Sequence, residues 1–263
     1  MMHEASLHRD NCFWTVTYDD PNLPPGGSLR MADVSAMIKR LRRRVQPLKF
    51  RFQAMSEYGP QTFRPHYHGL FFGFNFPDRK VFRRTGAGEL SYVSDLLTEA
   101  WGLGHCEVSD LTIKSVRYCA KHNVDKLDGA LADEFYEWLD PETGEVHHRE
   151  RETSRYSNRP GIGAGWLEKF ETDCFPTGFV ISQGCKVPVP RYYKRILKDR
   201  FKLRGSDAGE RRLVQIDDFM VMSRKAKARA RSPEVVANST PERLAVREEV
   251  KRLALKRLKR NGI

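Results

Sequence analysis

Apolar positions alternate with polar ones along Phe13-Trp14-Thr15-Val16-Thr17-Tyr18. That spacing predicts a strand, closed by Asp19-Asp20-Pro21-Asn22. After a loop through Pro24-Pro25-Gly26-Gly27, Val34, Ile38, Leu41 and Val45 recur at helical spacing, with Ser28 or Asp33 as candidate N-cap and Pro47 as the stop. Two further strands, about 49–57 and 65–74, flank a turn at Tyr58-Gly59-Pro60-Gln61. Residues 77–88 read as a basic loop. Leu90, Val93, Leu96, Leu97 and Trp101 space a second helix, which Gly102-Leu103-Gly104 breaks. A short strand at 105–109 and a third helix carrying Ile113, Val116, Tyr118, Ala120 and Lys121 complete the series. The order is that of the split β-α-β unit, an α+β fold in which a ferredoxin- or RRM-like antiparallel sheet carries helices packed on one face. The first and third strands would be its central pair, and the open face a platform for a ligand.

Beyond 129 the pattern is less regular. Residues 130–139 read as helical and 140–145 as a turn, with His147-His148 exposed beside it. Asn158-Arg159-Pro160-Gly161-Ile162-Gly163-Ala164-Gly165-Trp166 is a glycine-rich loop opening a short helix. It suits a tight turn, or backbone N–H groups presented to a phosphate. Val187-Pro188-Val189-Pro190-Arg191-Tyr192-Tyr193-Lys194-Arg195 reads as extended, basic and aromatic. Phosphate contact with base stacking and an edge strand packing two tyrosines both fit it. From about 204 the chain is a charged tail, with a basic arm at 224–231 and a helix start at Thr240-Pro241-Glu242.

Composition narrows the classes. Forty-six basic residues stand against 34 acidic ones, a net charge of +12. A chain this basic is expected to meet a polyanion, nucleic acid first. No apolar run reaches the roughly 18 residues of a membrane span, and the first residues lack the apolar core of a signal peptide. The five cysteines are scattered without a Cys-x-x-Cys pair. This argues against a disulfide scaffold and a zinc knuckle, and fits a reducing cytosol.

The candidate chemistry lies in Arg64-Pro65-His66-Tyr67-His68-Gly69-Leu70-Phe71-Phe72. Side chains alternate faces along a strand, so His66 and His68 share one face, a suitable geometry for two imidazoles on one cation. If the preceding strand pairs as a hairpin, Glu57 faces them across the ladder. With eight histidines in the chain, His-x-His alone is weak, and two strand histidines can simply hydrogen-bond to neighbours. The third helix adds Tyr118-Cys119-Ala120-Lys121, whose first and last residues share a helix face. At neutral pH a tyrosine is about one part in a thousand phenolate, a cost of roughly 4 kcal/mol. A nearby ammonium lowers that cost, and a divalent cation held by His66, His68 and Glu57 would polarise a scissile phosphate.

These segments together resemble the HUH-type endonucleases, and more closely the replication-initiator proteins of small tailless single-stranded DNA phages, the gokushovirus-like microviruses. The residues that match are 13–18 as the first motif, Glu57-Tyr58-Gly59 with Arg64 to Gly69 as the second, and Tyr118 to Lys121 as the third. Asn158 to Gly163 and Pro190 to Lys194 also resemble phage segments. The resemblance covers about residues 11–195. It implies a catalytic core at 1–128, a family-specific extension packed on it at 129–203, and a basic, mostly helical or partly ordered tail at 204–263. It further implies a nickase and strand transferase acting in rolling-circle replication, with magnesium or manganese as cofactor. Origin DNA, host helicase and host polymerase would be its partners, in the cytoplasm of a bacterial host. Tyr118 would be the nucleophile, Lys121 its helper, and His66, His68 and Glu57 the metal ligands. Many such initiators carry a second tyrosine four residues after the first; here that position is His122. Closing the circle would then need a second copy or reversal at Tyr118. Lys126, past the motif, could share the role given to Lys121.

Two readings of other kinds compete. A non-catalytic single-stranded nucleic-acid-binding protein would use an RRM-like sheet with Phe72 and Phe74 stacking on bases. A transposase or plasmid initiator fits less well, given the segments at 158–163 and 190–194. A zinc hydrolase lacks the His-Glu-x-x-His arrangement.

Overall fold

In a computed structural model of the chain, β1 (Asn11–Tyr18) and β3 (Pro65–Phe72) run antiparallel side by side, and β2 (Arg51–Tyr58) flanks β3 on its other edge. The residues described are 1–84, 88–122, 132, 135–140, 143–175, 179–182, 184–203, 240–242 and 246. They fall into two units, Met1–Gly163 and Ala164–Ile263. The first holds a seven-stranded antiparallel sheet, to which β4 (Lys80–Arg84), β5 (Leu90–Val93), β6 (Gly104–Asp110) and β9 (Ser154–Tyr156) contribute. Its order is β4-β5-β6-β1-β3-β2-β9, so β1 and β3 form the expected central pair.

Alternation divides the sheet into two faces. Trp14, Val16, Tyr18, Ala54, Tyr67 and Phe71 point into one core, against Val34, Met37, Ile38 and Leu41 of α2 (Met31–Arg44) and Leu97, Ala100 and Trp101 of α3 (Asp95–Trp101). Each fully buried aliphatic side chain contributes roughly 1.5–3 kcal/mol. A surface ion pair such as Arg44 with Glu99 contributes at most about 1 kcal/mol, so the apolar stripe seats α2. The opposite face carries Met55, Leu70 and Phe72, covered by Val116 and Cys119 of α4 (Ile113–His122) and by Ala5 of the short α1 (Met2–Ala5). The face that the sequence left open is thus crossed by the third predicted helix.

Several boundaries differ from the sequence pattern. The loop expected at 77–88 and the start of the helix expected from Leu90 are instead a hairpin, β4 with β5. Every residue of β4 is exposed, so no apolar periodicity marks it. The helix begins at Asp95 because Ser94 accepts from Leu97 N at 3.2 Å and Asp78 accepts from Leu96 N at 2.8 Å. These satisfy backbone donors that the first turn otherwise leaves orphaned. Neither Ser28 nor Asp33 caps α2, whose N-cap is Arg30. The hydroxyl of Tyr67 accepts from Arg30 N at 2.6 Å instead, while Asp33 accepts from the Tyr18 hydroxyl.

Residues 137–139, expected to be helical, form β7 (Glu137–Leu139), paired with β8 (Val146–His148) across the expected turn. Gly144, at φ +72°, and the bond from Asp140 N to Glu145 O close that hairpin, and His147 and His148 are exposed as expected. The second unit contains α5 (Ala164–Lys169), α6 (Glu171–Cys174), the hairpin β10 (Phe179–Ser182) with β11 (Cys185–Pro188), and α7 (Arg191–Leu203). Tyr192 to Arg195 therefore lie on a helix and not in the extended segment expected. Tyr193 and Leu197, four apart, are buried in this unit, with Tyr193 in its core beside Val189, a periodicity the tyrosine pair concealed. Pro241 and Glu242 are helical as expected; the basic arm at 224–231 lies outside the described residues.

Candidate metal and nucleophile site

The register of β3 sets the site. His66 pairs with Glu57 of β2 and with Thr17 of β1, and His68 pairs with Thr15. Gly69 is where the indole of Trp14 crosses beneath the strand. A Cβ at that position would stand 2.2 Å from Trp14 Cζ2 and 2.5 Å from the Gln53 carbonyl oxygen. Only glycine lets β3 lie this low on the core while both imidazoles rise on its other side.

The three expected ligands converge. Oε2 of Glu57 lies 3.7 Å from His66 Nε2 and 3.5 Å from His68 Nε2, and one donor atom from each residue falls within 4.8 Å of the others. The tautomers are supported from behind. Nδ1 of His66 donates to the Arg64 carbonyl at 3.1 Å, leaving Nε2 with its lone pair toward Glu57. Nδ1 of His68 meets the Thr15 hydroxyl at 2.8 Å. A hydroxyl both donates and accepts, so Thr15 accommodates either tautomer. Phe13 stacks on the His68 ring at 5.6 Å and 13°, which fixes the plane of the imidazole.

This donor set fits a divalent ion. Adjacent ligands at bond lengths of about 2.1 Å stand about 3 Å apart, so a contraction of roughly half an ångström would close Glu57 and the imidazoles on one ion. Two neutral imidazoles and a carboxylate, oriented through their second nitrogens, match a metal site with its outer hydrogen bonds in place.

Tyr118 reaches the same point from α4. That helix starts on a reciprocal cap: Ser115 N donates to Thr112 Oγ1 at 3.2 Å, and Thr112 N donates to Ser115 Oγ at 2.9 Å. Val116 and Cys119 anchor it to the sheet. The Tyr118 hydroxyl donates to Glu57 Oε2 at 2.8 Å and lies 3.2 Å from His68 Nε2. Its ring meets His68 and Phe13 edge-on. Lys121 follows three residues later on the helix, partly buried. Lys126 lies outside the described residues.

Electrostatics follow from this crowding. Burial, with the Glu57 carboxylate next, holds the Tyr118 phenol well above the ordinary tyrosine range. Burial disfavours charge on His66, but the hydrogen bond and charge of Glu57, with the Arg64 carbonyl and Glu152, outweigh it and raise its pKa. Without a cation, the carboxylate therefore keeps protons on its neighbours.

Sequence reasoning did not single out three contributors. Thr15 and Phe13 are read there only as strand residues, although their place opposite His68 follows once the β1–β3 register is known. Glu152, whose Oε1 accepts from Tyr58 N at 3.0 Å, adds negative charge near both His66 and Tyr118. No local pattern marks it. Phe72 and Phe74, the stacking platform of the non-catalytic reading, are buried and present no ring face to a base. In the glycine-rich loop, Gly163 N donates to the buried carboxylate of Glu4 at 2.6 Å, so that backbone N–H already holds an anionic partner from the chain itself.

Comparison with known proteins agrees with this geometry. Residues 11–127 match the family model of the ORF2-type replication-associated proteins. Replication-associated protein VP4 of Bdellovibrio phage phiMH2K is 31% identical over 241 residues, covering 82% of this chain and 71% of the relative. Replication-associated protein ORF4 of Chlamydia phage 1 is 23% identical, covering 84% of this chain but just over half, 56%, of the relative. Replication-associated protein ORF2 of Spiroplasma virus 4 is 29% identical over 126 residues, 45% of this chain and 39% of the relative. No solved structure matches the chain. Among the described residues no helix is long and apolar enough to cross a membrane. The matched segment spans the β1–β3 ladder, the paired histidines, Glu57 and Tyr118, and the chain belongs to the replication-associated proteins of microvirus-like phages.

Proposed function

We propose that the chain initiates rolling-circle replication by nicking origin DNA with Tyr118. The observation that carries this reading is the position of the Tyr118 hydroxyl, 2.8 Å from Glu57 and 3.2 Å from His68, where a phosphate bound at the ligand set would meet it. Oη of Tyr118 bonds to phosphorus as the bond from phosphorus to the 3′-oxygen breaks. The phenol proton leaves along the hydrogen bond it already makes to Glu57. The departing 3′-oxygen takes up a proton and becomes a free hydroxyl, and the 5′-phosphate stays on the protein as a tyrosyl ester. The ester retains the bond energy of the cut strand, so the same residue can rejoin it.

His66, His68 and Glu57 would hold magnesium or manganese, which when bound supplies charge that polarises the phosphate and offsets the carboxylate beside Tyr118. That offset matters because even an unperturbed phenol costs roughly 4 kcal/mol to ionise at neutral pH, and burial raises the cost here. Lys121, on the same face of α4 as Tyr118, adds a second positive charge for the developing phenolate. With His122 at the position of a second tyrosine, closure of the circle proceeds by reversal at Tyr118 or through a second copy of the chain. A host helicase and polymerase would open the duplex and extend the 3′-hydroxyl in the bacterial cytoplasm.

The test is incubation of wild type and Tyr118→Phe with labelled single-stranded oligonucleotides and manganese. A covalent adduct in wild type that disappears in the variant supports the reading. Cleavage that survives Tyr118→Phe overturns it.

A further inference from the structure

A pocket of about 360 Å³ opens at the end of the β2–β3 hairpin, walled by Leu23, Pro24, Gly26, Phe63, Trp138 and Arg149. Its volume lies at the small end of ligand sites, which suits one nucleotide and excludes a longer run. Three features of its lining are unusual together. Phe63 adopts φ +51°, a left-handed conformation that costs a side chain of this kind about 1–2 kcal/mol, and the residue is 39% exposed. A strained bulky residue holding an aromatic face toward solvent points to a binding role.

Arg149 donates from Nε to the Gly26 carbonyl at 2.7 Å, which aims its guanidinium into the pocket. The guanidinium carbon lies 5.9 Å from the Phe63 ring centre and 6.0 Å from that of Trp138. These distances are at the outer limit of cation–π contact, so the groups line the space without closing on one another. Gly26 has φ +64°, and a Cβ there would press on Trp138 at 3.2 Å, so the glycine lets the loop form a wall against the indole.

The pocket also adjoins the site. Arg64 and Pro65 are among its lining residues, and the Arg64 carbonyl accepts from His66 Nδ1. Two residues of strand span about 7 Å, the reach of a single nucleotide. We propose that this pocket receives one unstacked base of single-stranded DNA beside the scissile phosphate, with its face on Phe63 and its polar edge on the Arg149 fork. The assignment of the neighbouring phosphate rests on the nicking reading above; the base pocket itself does not.

Binding is measured by fluorescence anisotropy on the full chain carrying Tyr118→Phe, so that no strand is cut. The probes are a fluorescein-labelled single strand of mixed sequence and an abasic strand of equal length. The natural strand is expected to bind about tenfold more tightly, in line with base–aromatic stacking. Phe63→Gly should remove most of that preference while the melting temperature holds or rises, because glycine relaxes the left-handed turn. Phe63→Leu, which keeps apolar bulk without a π face, should lose the preference as well. Arg149→Lys, which retains charge but not the fork, should weaken the natural strand more than the abasic one. Full base preference in both Phe63 variants would overturn the proposal even if wild type forms the tyrosyl adduct. A preference that follows Phe63 in a protein that forms no adduct would support the pocket and refute the nickase.

Discussion

Thr15 Oγ1 stands 2.8 Å from Nδ1 of His68, directly across the β1–β3 ladder. The contact holds the imidazole so that Nε2 faces Glu57. Outer hydrogen bonds of this kind are typically worth roughly 10- to 100-fold in metal affinity. Thr15→Val, close in shape but without the hydroxyl, is expected to weaken manganese binding by about that factor, with little change in melting temperature. Titration calorimetry measures it, and unchanged affinity would show that the hydroxyl does not orient the ring.

Tyr118→Phe removes the proton that Glu57 accepts but leaves the ring against His68 and Phe13. The variant should fold and bind single-stranded DNA like wild type, yet form no covalent adduct on a denaturing gel. Loss of DNA binding alongside the adduct would mean that Tyr118 builds the surface and is not simply its nucleophile.

Gly69→Ala sets a methyl group into the Trp14 indole and the Gln53 carbonyl. Backbone on one side and a fully buried ring on the other leave little room to relax. Overpacking of this type costs about 3 kcal/mol at its upper range, and denaturant titration should show a loss near that size. An unchanged midpoint would mean that β3 can lift from the core, and metal affinity would then be the second measurement to fall.

Cys12, Cys106, Cys119 and Cys174 are buried, whereas Cys185 is exposed. Burial pushes the thiols of Cys106 and Cys119 up to about 12. A maleimide at neutral pH should label Cys185 rapidly in the native chain and all five cysteines only after denaturation. The folded values exceed the unfolded one of about 9, so these thiols favour the fold fully below that pH. Their contribution is lost as the pH rises toward about 12. Rapid labelling of Cys119 in the native protein would show that α4 lifts from the sheet.

The sheet was legible from sequence because β1, β2 and β3 are half-buried strands whose alternation survives in the residues themselves. Glu57, His66 and His68 followed from that alternation and one hairpin. The edge hairpin β4–β5 was hidden because ion pairs, such as Lys80 with Asp95 and Arg83 with Glu107, occupy its surface, and charge carries no period. Thr15 escaped notice because its meaning depends on a strand pairing with a distant part of the chain. Glu152 belongs to a segment whose place is set by hydrogen bonds to Ser56 and Tyr58, which local sequence does not encode. The tyrosines at 192 and 193 drew attention as a pair, although the helix uses only the second as its buried anchor.

The two-residue repeat of β3 ties solubility of the fold to chemistry. Tyr67 and Phe71 enter the core from the same strand that lifts His66 and His68 above it. A single inserted or deleted residue ahead of this strand would rotate the imidazoles into the hydrocarbon interior and expose the phenol ring in their stead. Length changes upstream are therefore tolerable only if the turn at 59–64 absorbs them, which makes that hairpin tip, and the aromatic side chain it displays, the place where this lineage can vary what it recognises without disturbing how it cuts.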